Sequence, residues 1–257
     1  MCLILFSYKM HHKYDLVLAA NRDEFYSRPA RPLSFWKENA DILAGQDLCG
    51  KGTWLGVNRS GRFAAVTNYR EPQVKKANAP SRGMLVREFL SCKVSPQEYI
   101  DSIKPVSHRY NGFNLLLGDQ SGIFYFSNRA YGSMKLMPGI YGLSNHLLDT
   151  AWPKVKRGKE ALRKLITEAH PISIPSLFAI LSDRFCPPDH ELPDTGVGVE
   201  WERTLSPPFV SSPNYGTRSS SVLLIDSSGK VLFIERTYVP GTKWIEVSDI
   251  RKFRFQI

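Results

Sequence analysis

The 257 residues are 42% hydrophobic, enough to bury a sizeable core in one domain spanning residues 1–257. A formal net charge of +10 favours anionic partners, whether phosphates, carboxylates, acidic membrane surfaces or nucleic acid. The four cysteines, at positions 2, 49, 92 and 186, form no CxxC pair and no metal-ligand spacing with histidine, so they support neither a zinc site nor a disulfide framework and point to a reducing compartment.

Met1 to Tyr8 make a short β-favouring run and Tyr14 to Ala20 a second, which predicts two strands joined by a turn. The first run lacks the basic flank and length of a secretory signal, and no apolar run approaches the roughly 18 residues of a membrane span, so a cytoplasmic protein is expected. In an antiparallel hairpin the start of the first strand lies beside the end of the second. Cys2 is therefore expected next to the polar cluster Asn21, Arg22, Asp23 and Glu24. A small side chain at position 2 favours removal of Met1, which would leave Cys2 an α-amine of pKa roughly 7.7 to 8.0 to accept the thiol proton. Arg22 then lowers the thiolate pKa or clamps a carboxylate, while Asp23 or Glu24 holds the amine. The plainer alternative is a small buried hydrophobe at a strand start; the adjoining charges favour chemistry.

Pro29 and Pro32, among Arg28 and Arg31, predict an irregular loop over Phe25 to Phe35. Short strands follow at Ile42–Gly45, Thr53–Asn58 and Phe63–Tyr69, the last two joined by a turn at Arg59–Arg62, with Asn68 near the strand end. Ser81 is placed to cap a helix bearing Met84, Leu85, Phe89 and Leu90, and Ser95, Pro96 and Glu98 spell a capping box for a second helix reaching Ile103. Leu115–Gly118 and Ile123–Ser127 form another hairpin. Repeated hairpins followed by helices fit a layered α+β sandwich better than alternating βαβ units. No GxGxxG, P-loop or HExxH pattern occurs.

Gly139 to Asn145 is a further strand, ending in the polar triplet Ser144, Asn145 and His146. Pro153 opens a basic amphipathic helix whose Lys154, Lys156, Arg157, Lys159, Arg163 and Lys164 suit either a solvated outer face or a transient acidic membrane surface. Nucleic acid is an unlikely partner, because no recognised module or aromatic stacking motif accompanies the charge. Ser176–Leu181 continues as helix, and Asp183–Gly198 reads as a long loop holding a Cys186–Pro187 pair. Arg218 stands at the entrance to Ser220–Asp226, which pairs with Val231–Glu235 in a closing hairpin.

Met1 and Cys2 with their apolar run, Leu18–Pro29 (LAANRDEFYSRP), Gly52–Val57 (GTWLGV), Ala65–Tyr69 (AVTNY), Tyr110–Leu115 (YNGFNL), Tyr141–Asn145 (YGLSN) and Tyr215–Arg218 (YGTR) occur in this order. Together they resemble, over nearly the full length, the transport and Golgi organisation 2 family, also named for its NRDE motif. The resemblance implies the N-terminal nucleophile hydrolase fold, a four-layer αββα sandwich with two packed antiparallel sheets. It also implies intracellular haem mobilisation and acyl-CoA or lipid handling. It further implies that Asn68 binds a developing oxyanion and Asn145 a substrate.

Two functional classes follow. In the leading one, a pocket around Cys2 and Asn21, Arg22, Asp23 and Glu24 binds and traffics an amphipathic anion, haem first and acyl-CoA or lipid second, with Arg22 and Arg218 meeting carboxylates or phosphates. The alternative is an N-terminal nucleophile hydrolase acting on a non-peptide amide, with Cys2, Asn68 and Asn145 catalytic. Neither needs a metal or a cofactor for its chemistry; haem enters as cargo.

Overall fold

Residues 2–74, 76–168, 171–240 and 245–257 are described by the computed structural model. Met1, and with it the expected loss of that residue, lies outside them. The expected hairpin is β1 (Cys2–Tyr8) with β2 (Tyr14–Phe25). β2 does not stop at Ala20 but runs on through Asn21, Arg22, Asp23 and Glu24. Asn21 and Arg22 stay in the strand because both of their backbone edges are paired, to β1 on one side and to a C-terminal strand on the other, and Asp23 and Glu24 continue it by pairing with that C-terminal strand.

The stretch expected as an irregular loop contains β3 (Ala30–Phe35). Pro32 is tolerated there because β3 is an edge strand and its pairing with β4 (Ile42–Asp47) breaks register between Arg31 and Ser34, where no ladder N–H is required. β5 (Leu55–Asn58) and β6 (Phe63–Asn68) form the hairpin predicted around Arg59–Arg62. Helices α1 (Arg82–Ser91) and α2 (Pro96–Ile103) come next, followed by β7 (Phe113–Asp119), β8 (Gly122–Ser127), β9 (Ser133–Lys135) and β10 (Gly139–Leu143). Helices α3 (Pro153–Glu168), α4 (Ile174–Leu181) and α5 (Val199–Leu205) precede β11 (Tyr215–Asp226), β12 (Lys230–Pro240) and β13 (Ile245–Gln256).

These elements form two compact units. One comprises Met1–Ser27, Pro138–Ser144 and Leu148–Gln256. Its described strands make an antiparallel sheet in the order β10-β1-β2-β11-β12-β13. One face of that sheet presents Leu3, Leu5, Val17, Ala19, Val222 and Leu224 to Val155, Leu162, Leu177 and Phe178 of α3 and α4. Period-2 alternation therefore turns Cys2, Arg22 and Ser219 away from those helices. The other unit holds Arg28–Met137 and Asn145–Leu147. Its described strands run β3 to β9 in simple succession, with α1 and α2 packing Leu85, Val86, Phe89, Leu90 and Ile100 against Ala64, Val66, Leu115 and Leu117.

The basic helix is largely tied to protein partners. The Lys154 ammonium is buried and donates to the Leu205 carbonyl at 2.8 Å, while Arg157 pairs with Asp183, Lys159 with Asp149 and Arg163 with Glu160. Among the described residues no helix is long and apolar enough to cross a membrane.

Candidate functional site

The hairpin places Cys2 directly opposite Arg22, and Arg22 directly opposite Ser219 on β11. A thiol, a guanidinium and a hydroxyl thus share one row on one face of the sheet. Cys2 is partly exposed, yet burial pushes its thiol pKa up; Asp23 and Glu24 add to the rise, while the chain's amino group and Arg22 oppose it. Cys2 is accordingly a protonated thiol near neutrality in the chain that retains Met1. Arg22 is buried, and so is the Ser219 hydroxyl, which has no hydrogen-bond partner among the described residues. The hydroxyl of Ser144, at the end of β10, donates to the Cys2 carbonyl at 3.2 Å and fixes the start of β1.

The other residues of the NRDE motif divide by strand parity. Asn21 faces the helices, where its amide donates to the carbonyls of Leu181 and Pro208 at 2.8 and 2.9 Å and its carbonyl accepts from the Ser220 hydroxyl at 2.6 Å. It fastens the sheet to the chain beyond α4. Asp23 accepts from the Thr217 hydroxyl at 2.8 Å, and that same hydroxyl accepts from the Val210 amide. Glu24 is half-buried and accepts from the amide of Phe25. Asn21 and Asp23 therefore brace the strand that displays Arg22.

Arg218 sits where pairing of β11 with β2 shifts register between Thr217 and Ser219, a bulge that re-aims its side chain. One of its terminal nitrogens donates to the carbonyls of Phe25 and Tyr26, both at 2.9 Å, and the guanidinium lies 5.9 Å from the Tyr26 ring centre. Burial lowers its pKa from the usual arginine range, and the like charge of Arg22 lowers it further. Gly216 makes room for this arrangement, since a Cβ there would stand 2.2 Å from the Tyr26 hydroxyl.

Asn68 and Asn145 belong to the other unit. Asn145 is fully buried; its side-chain amide donates to the Asn68 backbone carbonyl at 3.0 Å and its backbone carbonyl accepts from the Arg70 backbone amide at 2.7 Å. The residue after each joins them as well, for the Tyr69 hydroxyl meets Nε2 of His146 at 2.7 Å. Burial holds the His146 pKa below its ordinary value and raises that of Tyr69, so this is a neutral pair at pH 7. Cys186 is exposed and its thiol points to the Arg184 carbonyl. Among the described residues no group of three or more His, Cys, Asp or Glu could hold a metal ion.

Sequence reasoning missed Thr217, Ser219 and Ser220. The available signal was Thr217–Ser221, a run of polar residues inside an otherwise apolar strand, where buried hydroxyls need partners.

Comparison with known proteins places this geometry. The Transport and Golgi organisation 2 family model matches residues 1–240. The Transport and Golgi organization protein 2 homolog of Bos taurus is 38% identical over 278 aligned positions, with 100% of each chain covered. Its Homo sapiens counterpart is 38% identical over 257, covering 92% of this chain and 93% of its own. A solved Caenorhabditis elegans N-acylethanolamine-hydrolyzing acid amidase ortholog matches with a TM-score of 0.50 at 10% identity, over 87% of this chain and 92% of that one. That likeness concerns the fold, which is α+β with two antiparallel sheets, of the N-terminal nucleophile hydrolase type, as expected. By full-length identity to curated relatives and by the family match, the chain belongs to the Transport and Golgi organisation 2 family.

Proposed function

We propose that this protein binds and traffics an amphipathic anion, haem first and an acyl-CoA or related lipid second, at the row of Cys2, Arg22 and Ser219, in the cytoplasm. The observation that carries this reading is the row in which Arg22 stands directly opposite Cys2 and Ser219, with Arg218 in the adjoining bulge of β11. A guanidinium on that row is suited to meet a carboxylate or a phosphate with paired hydrogen bonds. The Ser219 hydroxyl is a further group for the headgroup to meet, since an unsatisfied buried hydroxyl costs about 1–3 kcal/mol. Four free thiols fit a reducing compartment.

A second reading is favoured by the position of Cys2 at the head of β1 in a fold shared with a protein named as an amidase. In that reading Met1 is removed and the Cys2 sulfur attacks an amide carbonyl. The thiol proton passes through the new α-amine to the departing amine, and water then hydrolyses the thioester. Asn68 and Asn145 would steady the oxyanion and the substrate, as the family resemblance implies.

One set of variants separates the two. Haem, an acyl-CoA and uncharged analogues are titrated into wild type, Arg22→Ala and Cys2→Ala, alongside a panel of N-acyl amides. The binding reading expects Arg22→Ala to weaken the charged ligands by about 1.5–3 kcal/mol, the usual value of a hydrogen bond to a charged group, with little change in Cys2→Ala. Equal affinity for charged and uncharged forms would sink it. Turnover that vanishes in Cys2→Ala while affinity holds would install the hydrolase reading instead.

A further inference from the structure

Single exposed apolar side chains are ordinary on a protein surface. The stretch from Tyr131 to Met137 departs from that pattern. Tyr131 is wholly exposed, and Met134 and Met137 are 53% and 72% exposed. These side chains are displayed by pinned backbone. β9 pairs with β8, matching Met134 to Tyr125 and Lys135 to Phe124. Leu136 is buried and its amide donates to the Ile123 carbonyl at 2.8 Å, while the Ser133 hydroxyl reaches Gln97 of α2 at 3.2 Å. Gly132, at a φ of +74°, makes the turn that presents Tyr131.

Within the stretch itself the charge has one sign, and a carboxylate across from it, Asp101 of α2, accepts from the same Gln97 that meets Ser133. From Gln120 to Leu148 the chain holds no Asp or Glu, and its cations are Arg129, paired with Glu71, and Lys135. The Asn128 amide ties the same region to the Ser107 carbonyl, in a 3-10 turn that carries Lys104 and Arg109. A protein partner is a poor match, because a stable interface buries roughly 800 Å² a side and three side chains supply only a fraction of that. A second copy would bring Lys135 against Lys135. A bilayer interface, by contrast, accepts shallow insertion of an aromatic and flexible apolar side chains beneath a ring of basic residues.

We propose that Tyr131, Met134 and Met137 form a membrane-contact tip that enters the interface of an anionic bilayer, with Lys135, Lys104 and Arg109 at the headgroup phosphates. This places membrane contact here rather than on α3, whose cations are mostly engaged by protein groups.

The test is sedimentation of the full chain with phosphatidylcholine vesicles, with and without phosphatidylserine. Wild type is expected to sediment with the phosphatidylserine vesicles and to release as salt rises. The triple variant Tyr131→Ser, Met134→Ser and Met137→Ser should bind at least about tenfold more weakly, since each loses the transfer of an apolar side chain. A double variant on α3, Lys156→Glu with Lys164→Glu, should keep most of the binding. All substituted side chains are exposed, and unchanged thermal melting confirms folding. Wild type that ignores phosphatidylserine vesicles overturns the proposal, as does a triple variant that binds like wild type.

Discussion

Cys2 shows how one residue type reads differently by neighbourhood. Only the thiolate alkylates, so a thiol whose pKa is raised reacts slowly at a pH where ordinary thiols react well. In protein retaining Met1, Cys2 is expected to react with iodoacetamide more slowly than the exposed Cys49 and Cys186, and to reach half its limiting rate above the ordinary thiol range. Peptide mass spectrometry across a pH series reads all three sites at once. A Cys2 that outpaces both would mean a depressed pKa and would argue for a nucleophile. That Cys2 lies beside Arg22 was readable in the sequence, because antiparallel pairing is local geometry and needs only two strands and a short turn. The duties of Asn21 and Asp23 were not. Their partners, Leu181, Pro208 and Thr217, are brought in by chain far downstream, and no local pattern announces such contacts.

Among the elements, the two serines expected as helix caps part company. Ser95 completes the capping box, accepting from the Glu98 amide while the Glu98 carboxylate accepts from the Ser95 amide. Ser81 has the extended backbone of an N-cap, yet its side chain makes no cap hydrogen bond; its hydroxyl lies against Gly50, where a Cβ would come within 2.7 Å. Ser95→Ala should therefore cost about 0.5–2 kcal/mol. That corresponds to a Tm drop of roughly 2–4 °C per kcal/mol for a chain of this size. Ser81→Ala should move Tm much less, and calorimetry of the two variants side by side distinguishes them. An equal drop would show that Ser81 caps its helix in solution. The capping box was legible because it is a four-residue motif with reciprocal bonds. A lone serine before a helix carries half that information. The same contrast separates β2 from β3. Charges after Ala20 and prolines after Phe25 looked like breakers, but a strand paired on both sides holds polar residues and an edge strand holds proline.

For the molecule as a whole, most of the hairpins and helices α1 to α4 were foreseeable from periodicity and turn residues, whereas β9, α5 and β13 were not. The sequence of β13 mixes Glu246, Asp249, Arg251, Lys252 and Arg254 with Val247, Ile250, Phe253 and Phe255, and most of its side chains are at least partly exposed. A strand that buries little carries a weak apolar signal, and its charges are what keep an open sheet edge from pairing with other chains. β13 also lies beyond the residues matched by the family model, which end at Pro240 together with β12. Its work is then to cover β12, to which it is paired from Lys230 to Pro240. Deleting 245–257 would leave β12 as the sheet edge, with Val231, Phe233 and Ile234 beside unpaired backbone. The shortened chain is expected to form oligomers at concentrations where the full chain does not, read by size-exclusion chromatography with light scattering. Its Arg22-dependent ligand affinity should persist in the monomer fraction, because β1, β2 and β11 keep all their ladder partners and only β12 loses one. A monomeric deletion would show that β12 protects its own edge. A monomer that has lost affinity would place β13 among the supports of the Arg22 row.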